Sequence, residues 1–226
     1  MNPPYGIDLT AFRLESLQDS LAHGDLLPSH RPLCEGLDRH FLVLSAHGIA
    51  HVQQLVDTLT TKTAVERFAA QTGIPVDYLT LLRRHVRGYI PNPIQFADIP
   101  GIDDDVLKRL AKAGINHTKQ LFERARMRTD RSALEVQTGI NAAAMLEMIE
   151  ITDLSRIGWV GPIGVRLFHQ AGAHTTALLA AFDPDVFYAL MNEVNQERQY
   201  TRATITRRDV ALIIDIAKKM PDAIEY

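Results

Sequence analysis

The stretch Gln71-Thr72-Gly73-Ile74 occurs a second time, unchanged, as Gln137-Thr138-Gly139-Ile140, 66 residues further along the chain. The same shift places Ala46-His47-Gly48-Ile49 over Lys112-Ala113-Gly114-Ile115. Two landmarks in a single register indicate an internal duplication, and a duplication determines the architecture of the whole chain. The sequence is therefore predicted to form a row of related units.

A third copy is indicated further along the chain. Ala113-Gly114-Ile115-Asn116-His117-Thr118 has a counterpart in Ala171-Gly172-Ala173-His174-Thr175-Thr176, at a shift of 58 residues. Apolar residues mostly recur every three or four positions, and the long alternating runs typical of strands are absent from the sequence. The pattern predicts an all-α fold of tandem units. A row of helical units favours a binding or scaffolding role over a single catalytic cleft.

The composition excludes several classes of protein. The 226 residues, 46% of them hydrophobic, are enough to bury a core, and a net charge of −3 gives no overall positive field for nucleic acid. A single cysteine, Cys34, excludes a disulfide framework or a cysteine-based zinc site within the chain. No apolar stretch approaches the roughly 20 residues that span a bilayer, and the first residues do not resemble a signal peptide. We therefore expect a cytoplasmic protein without a membrane partner.

The sequence predicts one helix at each end of the row. Asp8 is predicted to cap an N-terminal helix that stops at Gly24. A closing C-terminal helix is predicted from about Arg208 to Lys219, with Pro221 as its stop. Its apolar residues recur on one face, so this helix is expected to pack against the preceding unit.

A proline-rich link divides the chain into two predicted domains. Tyr89-Ile90-Pro91-Asn92-Pro93 is expected to be extended, because proline disfavours helix at its own position and at the residue before it. The first domain, 1–90, holds the N-terminal helix and a degenerate first repeat. The second domain, 91–226, holds the second and third repeats together with the closing helix.

Each predicted hairpin has a glycine turn before its helix and a second glycine after it. In the second unit, Ile99-Pro100-Gly101-Ile102 forms the turn, and Gly114 is well placed to end the helix in the left-handed conformation. Thr118 is predicted to cap the helix that follows. These signals predict a compact helix, turn and helix arrangement.

These segments resemble a known type of module. Ile99-Pro100-Gly101-Ile102, a helix and then Ala113-Gly114-Ile115 resemble a helix-hairpin-helix unit, and so does the segment 154–162 with its helix and Ala171-Gly172. From about Leu26 to the end, the chain resembles a bacterial family of tandem helix-hairpin-helix proteins classed as a domain of unknown function. The resemblance implies a fold but no reaction.

The resemblance also implies a mode of binding. Helix-hairpin-helix modules typically hold a DNA backbone without reading its sequence. A glycine turn lets main-chain N–H groups approach a phosphate at a helix N-terminus, and a nearby arginine or lysine adds charge. Affinity for such a backbone falls as salt concentration rises.

The first two hairpins fit this mode poorly. Glu35 and Asp38 occupy the turn of the first hairpin, and Asp103-Asp104-Asp105 follow the turn of the second. Acidic side chains in a first helical turn favour the positive end of the helix dipole and repel phosphate. We interpret the first hairpin as a packing unit and the three aspartates as capping residues, not as metal ligands, because consecutive helical residues diverge by about 100°.

The third hairpin fits better, since no acidic residue follows its turn and Pro162 suits a first helical position. Trp159 is expected either to pack beneath the turn or to stack on a base or sugar, and packing is the favoured reading. The residues predicted to contact phosphate here are Gly158, Gly161, Gly164, Arg156 and Arg166.

Charge is unevenly distributed along the chain. Residues 1–60 carry a net charge of −4, whereas 106–131 carry +6. This asymmetry indicates a nucleic-acid face, an ordinary solvated helix surface, or attraction between neighbouring copies. The residues predicted to extend the phosphate-binding surface are Lys108, Lys112, Arg124, Arg126 and Arg128.

No catalytic motif is present in the sequence, so no enzyme activity and no cofactor are expected. His47 and His51 are separated by Gly48, and no ligand-rich spacing predicts a metal site. The predicted function is a non-catalytic binding module with two alternatives. It either binds DNA or RNA backbone or acts as a protein-interaction adaptor. The sequence leaves the partner and the oligomeric state open.

Overall fold

The fold is all-helical, as the sequence predicts. The computed structural model describes residues 4–24 and 26–226, and helices make up 64% of the chain. No β-strand forms in these two described segments, although two isolated bridges join Arg13 to His51 and Gln95 to His117.

The chain forms two compact units, of which the smaller is Ile7–Ile90. Leu17, Phe41 and Leu55 lie almost fully buried in its core. Its helices pack as α1 on α2, with α3 and α4 both against α5. A short 3-10 helix, Pro28–Cys34, also contacts α5. The five α-helices are α1 (Leu14–His23), α2 (Leu37–Ala46), α3 (Val52–Thr58), α4 (Lys62–Thr72) and α5 (Val76–Gly88).

The predicted N-terminal cap is wrong, because α1 begins six residues after Asp8. The Asp8 carboxylate accepts the N–H groups of Thr10 at 2.9 Å and Ala11 at 3.3 Å, which closes a local turn in place of a helix start. The N-cap of α1 is Arg13, in extended conformation and without a side-chain cap. The predicted stop at Gly24 is confirmed.

The larger unit is Pro91–Tyr226 together with the described residues of Met1–Gly6. Its central helix, α9, is buried on several sides and contacts α7, α8 and α10. The predicted closing helix packs against α11 and α12. The eight helices are α6 (Asp104–Lys112), α7 (Thr118–Ala125), α8 (Arg128–Thr138), α9 (Ala142–Leu154), α10 (Pro162–Gln170), α11 (Thr176–Ala181), α12 (Pro184–Arg198) and α13 (Arg207–Ala217).

The predicted glycine stop after α6 is confirmed. Gly114 has φ 77°, its N–H donates to the Ala111 carbonyl at 2.9 Å, and Ile115 donates to Leu110 at 2.9 Å. The predicted cap at Thr118 is wrong by one residue. The cap is His117, whose ring accepts the Gln120 N–H at 3.2 Å while the Gln120 side chain accepts the His117 N–H.

The duplicated tetrapeptide forms the same turn twice. The hydroxyl of Thr72 donates to the Phe68 carbonyl at 2.7 Å and accepts the N–H of Ile74 at 3.3 Å. Thr138 makes the two corresponding bonds at the same distances. Gly73 and Gly139 follow in the left-handed conformation, with φ 71° and 68°. Threonine and glycine are each required by this geometry, which accounts for their recurrence.

Two histidines lie in the core of the smaller unit. The rings of His30 and His85 approach at 3.2 Å between their Nδ1 atoms, and the Tyr89 hydroxyl lies 3.3 Å from Nε2 of His85. Both rings are almost fully buried. Burial, and then the neighbouring His30, lower the pKa of His85 to about 3. The folded chain therefore holds His85 neutral at pH values where the unfolded chain protonates it.

This difference predicts a loss of stability in acid. Above about pH 6.5 His85 is neutral in both states. As the pH falls from there toward 3, only the unfolded state takes up the proton, so the free energy of unfolding falls by up to about 1.4 kcal/mol per pH unit. Urea unfolding between pH 7 and pH 5 measures this slope. We expect His85→Phe to reduce this slope, with part of it kept by the buried His30, whose pKa burial also lowers. The control variant is His47→Phe, at an exposed position. Parallel slopes for all three proteins would contradict the account.

Candidate functional site

The third hairpin turn joins α9 to α10 and places a tryptophan where the second hairpin has a glycine. Trp159 has φ 69° and lies 58 residues after Gly101, which has φ 75°. The left-handed conformation costs a non-glycine residue about 1–2 kcal/mol. Gly158, predicted to expose its backbone in the turn, is buried. Trp159 itself is half-buried.

The N-termini of α6 and α10 differ in their capping. The Asp103 carboxylate accepts the N–H groups of Asp105 at 2.8 Å and Val106 at 3.2 Å, which confirms its predicted capping role. The corresponding residue at α10 is Gly161, an exposed N-cap without a side-chain acceptor. Pro162 follows it and has no N–H, so the first helical N–H groups are those of Ile163 and Gly164.

Arg156 is not a surface cation, which corrects the predicted role of this residue. Its side chain is 1% exposed and forms an ion pair with Asp153. The guanidinium also donates to the carbonyls of Tyr5 at 3.2 Å and Pro221 at 2.8 Å, and it lies 5.2 Å from the centre of the Phe122 ring. These contacts hold the guanidinium group inside the larger unit, so it does not face a phosphate.

Asp153 and Tyr5 extend this buried polar cluster. The second carboxylate oxygen of Asp153 accepts the N–H of Thr176 at 2.9 Å and its hydroxyl at 3.2 Å. The Tyr5 hydroxyl lies 2.6 Å from the Thr118 hydroxyl and 2.7 Å from that of Ser155. Burial raises the pKa of Tyr5 above its ordinary value, so its hydroxyl stays protonated. The cluster joins the N-terminal segment, α7, α9 and α11.

Arg166 also points inward, and its predicted role is corrected in the same way. Its side chain is 3% exposed. Nε donates to the Pro100 carbonyl at 2.6 Å, and Nη1 pairs with Glu147 at 2.7 Å. Arg166 thus ties the turn before α6 to α9 and α10. Reversing the charge of Arg156 or Arg166 would test folding, not binding.

Several residues of the basic segment bind the chain itself. Arg124 donates to the Ala113 carbonyl at 2.5 Å and to the Gln137 side chain at 3.0 Å, although its side chain remains exposed. The Arg128 guanidinium contacts the Tyr226 carbonyl. Arg126 is half-buried, and its carbonyl accepts the Glu225 N–H at 2.9 Å.

Lys108 and Lys112 remain as exposed cations. They lie one turn apart on α6, and neither has an ion-pair partner within residues 4–24 and 26–226. Both face a groove of about 400 Å³ between α6 and α8, which we call the α6–α8 groove. Arg109 also faces it, paired with Asp105 and donating to the Thr138 and Gly139 carbonyls at 3.3 Å. The groove is lined by Asp105, Lys108, Arg109, Lys112, Ala113, Gln137 and Thr138.

A second group of potentially functional residues was missed by the sequence analysis. Glu150 on α9 lies 2.7 Å from Nε2 of His169 on α10 and 3.3 Å from Nδ1 of His174 in the following loop. The two rings are edge to face, with their centres 4.7 Å apart. No spacing along the chain that is typical of a metal site joins Glu150 to the two histidines. Only the packing of α9 against α10 brings these three residues together.

A family model matches slightly more than half of the chain. The chain belongs to the family described as Domain of unknown function (DUF4332), whose model matches residues 100–220. That match contains the α6–α8 groove, the third hairpin and both histidines of the cluster. No curated protein and no solved structure matches the chain significantly.

In the described part of the chain, no helix is both long enough and apolar enough to span a bilayer.

The capping difference between α6 and α10 predicts the effect of one substitution. Gly161→Asp gives α10 the cap that Asp103 gives α6, and space for the new side chain is open. We expect the free energy of unfolding to rise by a few tenths of a kcal/mol, because aspartate is a better N-cap than glycine. Asp103→Ala should lower it by about 1 kcal/mol. Urea unfolding followed by circular dichroism measures both changes. A destabilised Gly161→Asp variant would contradict the geometry of this N-terminus.

Proposed function

We propose that the chain is a non-catalytic binding module of helix-hairpin-helix-like units that holds the phosphate backbone of a nucleic acid at the α6–α8 groove. The observation that carries this proposal is the pair of exposed lysines, Lys108 and Lys112, on the wall of that groove. Their ammonium groups have no competing carboxylate partner among the described residues.

Recurring backbone geometry supports the helix-hairpin-helix part of the proposal. In the second and third hairpins a left-handed residue precedes the N-cap by two positions, as Gly101 precedes Asp103 and Trp159 precedes Gly161. Each following helix ends before a left-handed glycine, Gly114 or Gly172. The first hairpin departs from this pattern, because its left-handed Gly36 is itself the N-cap of α2.

The charges around the groove support a polyanionic ligand. Lys108 and Lys112 have Cβ atoms about 6 Å apart, as expected for positions i and i+4. Arg124 flanks them, and its bond to the Ala113 carbonyl holds the guanidinium group in place without neutralising it, whereas Arg109 is paired with Asp105. Asp105 is the acidic residue of the lining. A local positive field of this kind attracts phosphate even though the net charge of the chain is −3.

The third hairpin has a smaller role in this proposal than the sequence predicts. Arg156 and Arg166 are buried, so the contribution of this hairpin to phosphate binding is reduced to main-chain N–H groups at the N-terminus of α10, near Gly161 and Gly164. The lysines of the α6–α8 groove and the N–H groups of α10 would both contact the backbone of the nucleic acid. Binding is therefore expected to be independent of base sequence.

Exposed apolar side chains favour the alternative function of a protein-interaction adaptor. Val136 on α8 is 87% exposed, and Leu42 on α2 is 73% exposed. Isolated exposed apolar residues are common on proteins without an interface, whereas a contiguous patch is the stronger signal. The adaptor is therefore the second candidate.

Fluorescence anisotropy with labelled single- and double-stranded DNA and RNA tests the proposal. We expect dissociation constants of about 1–100 µM near physiological salt, and steeply tighter binding at about 50 mM salt. Lys108→Glu with Lys112→Glu should weaken binding more than about tenfold, because each lost phosphate contact also removes counterion release.

The matched control is Lys62→Glu with Lys218→Glu, which reverses two exposed lysines elsewhere and makes the same change in net charge. Equal losses of affinity in both double variants would show that binding depends only on the overall charge of the chain and not on the groove. Absence of binding at low salt would reject the nucleic-acid proposal. Pull-down with wild-type protein and with Val136→Glu would then test the adaptor.

A further inference from the structure

We propose that Glu150, His169 and His174 form a binding site for a divalent transition-metal ion of the Zn²⁺ class. The proposal is independent of nucleic-acid binding. One nitrogen from each histidine and one carboxylate oxygen of Glu150 lie within 4.8 Å of one another. Imidazole and carboxylate are ordinary ligands of Zn²⁺, and three protein ligands with one open position are typical of a reactive or exchangeable site.

The distances fit an ion after a small movement. Ligand atoms of tetrahedral Zn²⁺ lie about 3.3 Å apart, given metal–ligand bonds of about 2.0 Å. Glu150 Oε2 and His174 Nδ1 already have that separation, at 3.3 Å. His169 Nε2 lies 2.7 Å from the same oxygen, so this pair must open by about 0.6 Å. We expect a change of side-chain torsion at Glu150 or His169 to provide that movement.

His174 provides an independent indication of a missing ligand. Its Nδ1 atom is buried and makes no hydrogen bond of acceptable geometry within the described residues, although it faces the Glu150 carboxylate. A buried ring nitrogen without a partner is costly, and an ion between the two groups would satisfy both. The His174 side chain as a whole is 44% exposed, so an ion can reach the site from solvent.

The loop that carries His174 is held in position. Gly172 turns the chain with φ 92°, and the Ala173 N–H donates to the Phe168 carbonyl at 3.0 Å. Two residues beyond His174, Thr176 is bound by the buried Asp153 carboxylate, which lies one turn along α9 from Glu150. The three ligands are therefore largely preorganised, which lowers the cost of ordering them around an ion.

The hairpin fold itself does not require these histidines. At the 58-residue shift, His169 and His174 correspond to Ala111 and Asn116 in the second hairpin, where the turn and the left-handed glycine are retained. The cluster is thus a feature of the third unit and not of the shared scaffold. The alternative is an ordinary hydrogen-bonded Glu–His group without an ion.

Titration of the whole chain with ZnCl₂ by isothermal calorimetry distinguishes a metal site from a hydrogen-bonded Glu–His group without an ion. We expect one equivalent of Zn²⁺ to bind and to raise the melting temperature, and Mg²⁺, a poor partner for imidazole, to do neither. In Co²⁺-loaded protein, visible absorption bands should report nitrogen and oxygen ligation. His174→Ala and Glu150→Gln should each weaken Zn²⁺ binding by at least about tenfold.

The control is His23→Ala, which removes an exposed histidine of the smaller unit and should bind Zn²⁺ as the wild type does. Circular dichroism checks that each variant is folded. His174→Ala decides the result if Glu150→Gln is unfolded, because the His174 ring is half-exposed. Absence of Zn²⁺ binding by the wild type, or binding equal in His174→Ala and His23→Ala, would overturn the proposal.

Discussion

The buried ion pair between Arg156 and Asp153 is the constraint on which the larger unit depends. Both side chains are almost fully buried. An isolated charge in the protein interior would be very costly. The pair is tolerated because the remaining donors and acceptors are satisfied by main-chain carbonyls of Tyr5 and Pro221 and by Thr176. Segments far apart in sequence are therefore joined at one point, which fixes how the N-terminal segment, α9 and α11 pack.

The cationic residues of the chain divide into buried arginines and exposed lysines. Arg156 and Arg166 hold loops to helices, and Arg131, also buried, contacts the Glu225 carbonyl. Lys108 and Lys112, with their more strongly hydrated ammonium groups, stay at the surface. Arginine is suited to the buried role because its fixed fork of donors can satisfy several acceptors at once. The net positive charge of 106–131 therefore overstates the charge available to a ligand.

Local signals predicted much of the fold. The Thr-Gly-Ile turns, the left-handed Gly114 and the Asp103 cap depend on residues close in sequence, and all are present in the structure. The burial of Arg156 had a local clue as well, because Asp153 precedes it by three positions, the spacing of a helical ion pair. An arginine near a glycine turn also suggests a phosphate contact, and the two signals predict opposite positions for the Arg156 side chain.

Other features depend on tertiary packing and leave no local signal. Glu150 meets His169 and His174 only because α9 packs on α10. Trp159 adopts the left-handed conformation that Gly101 adopts in the second unit, so the surrounding packing and not the residue's own preference sets the turn. The α6–α8 groove likewise arises from two helices that the sequence alone does not place side by side.

A double-mutant cycle on Asp153 and Arg156 tests the central claim most directly. Urea unfolding would compare the wild type with Asp153→Ala, Arg156→Ala and the double variant. A buried pair predicts that each single substitution costs about 3–5 kcal/mol, because each leaves an uncompensated buried charge. The double variant should then cost clearly less than the two single costs together, with a coupling energy of up to about 3 kcal/mol. Single costs below about 1 kcal/mol with additive effects are typical of an exposed ion pair and would contradict the account.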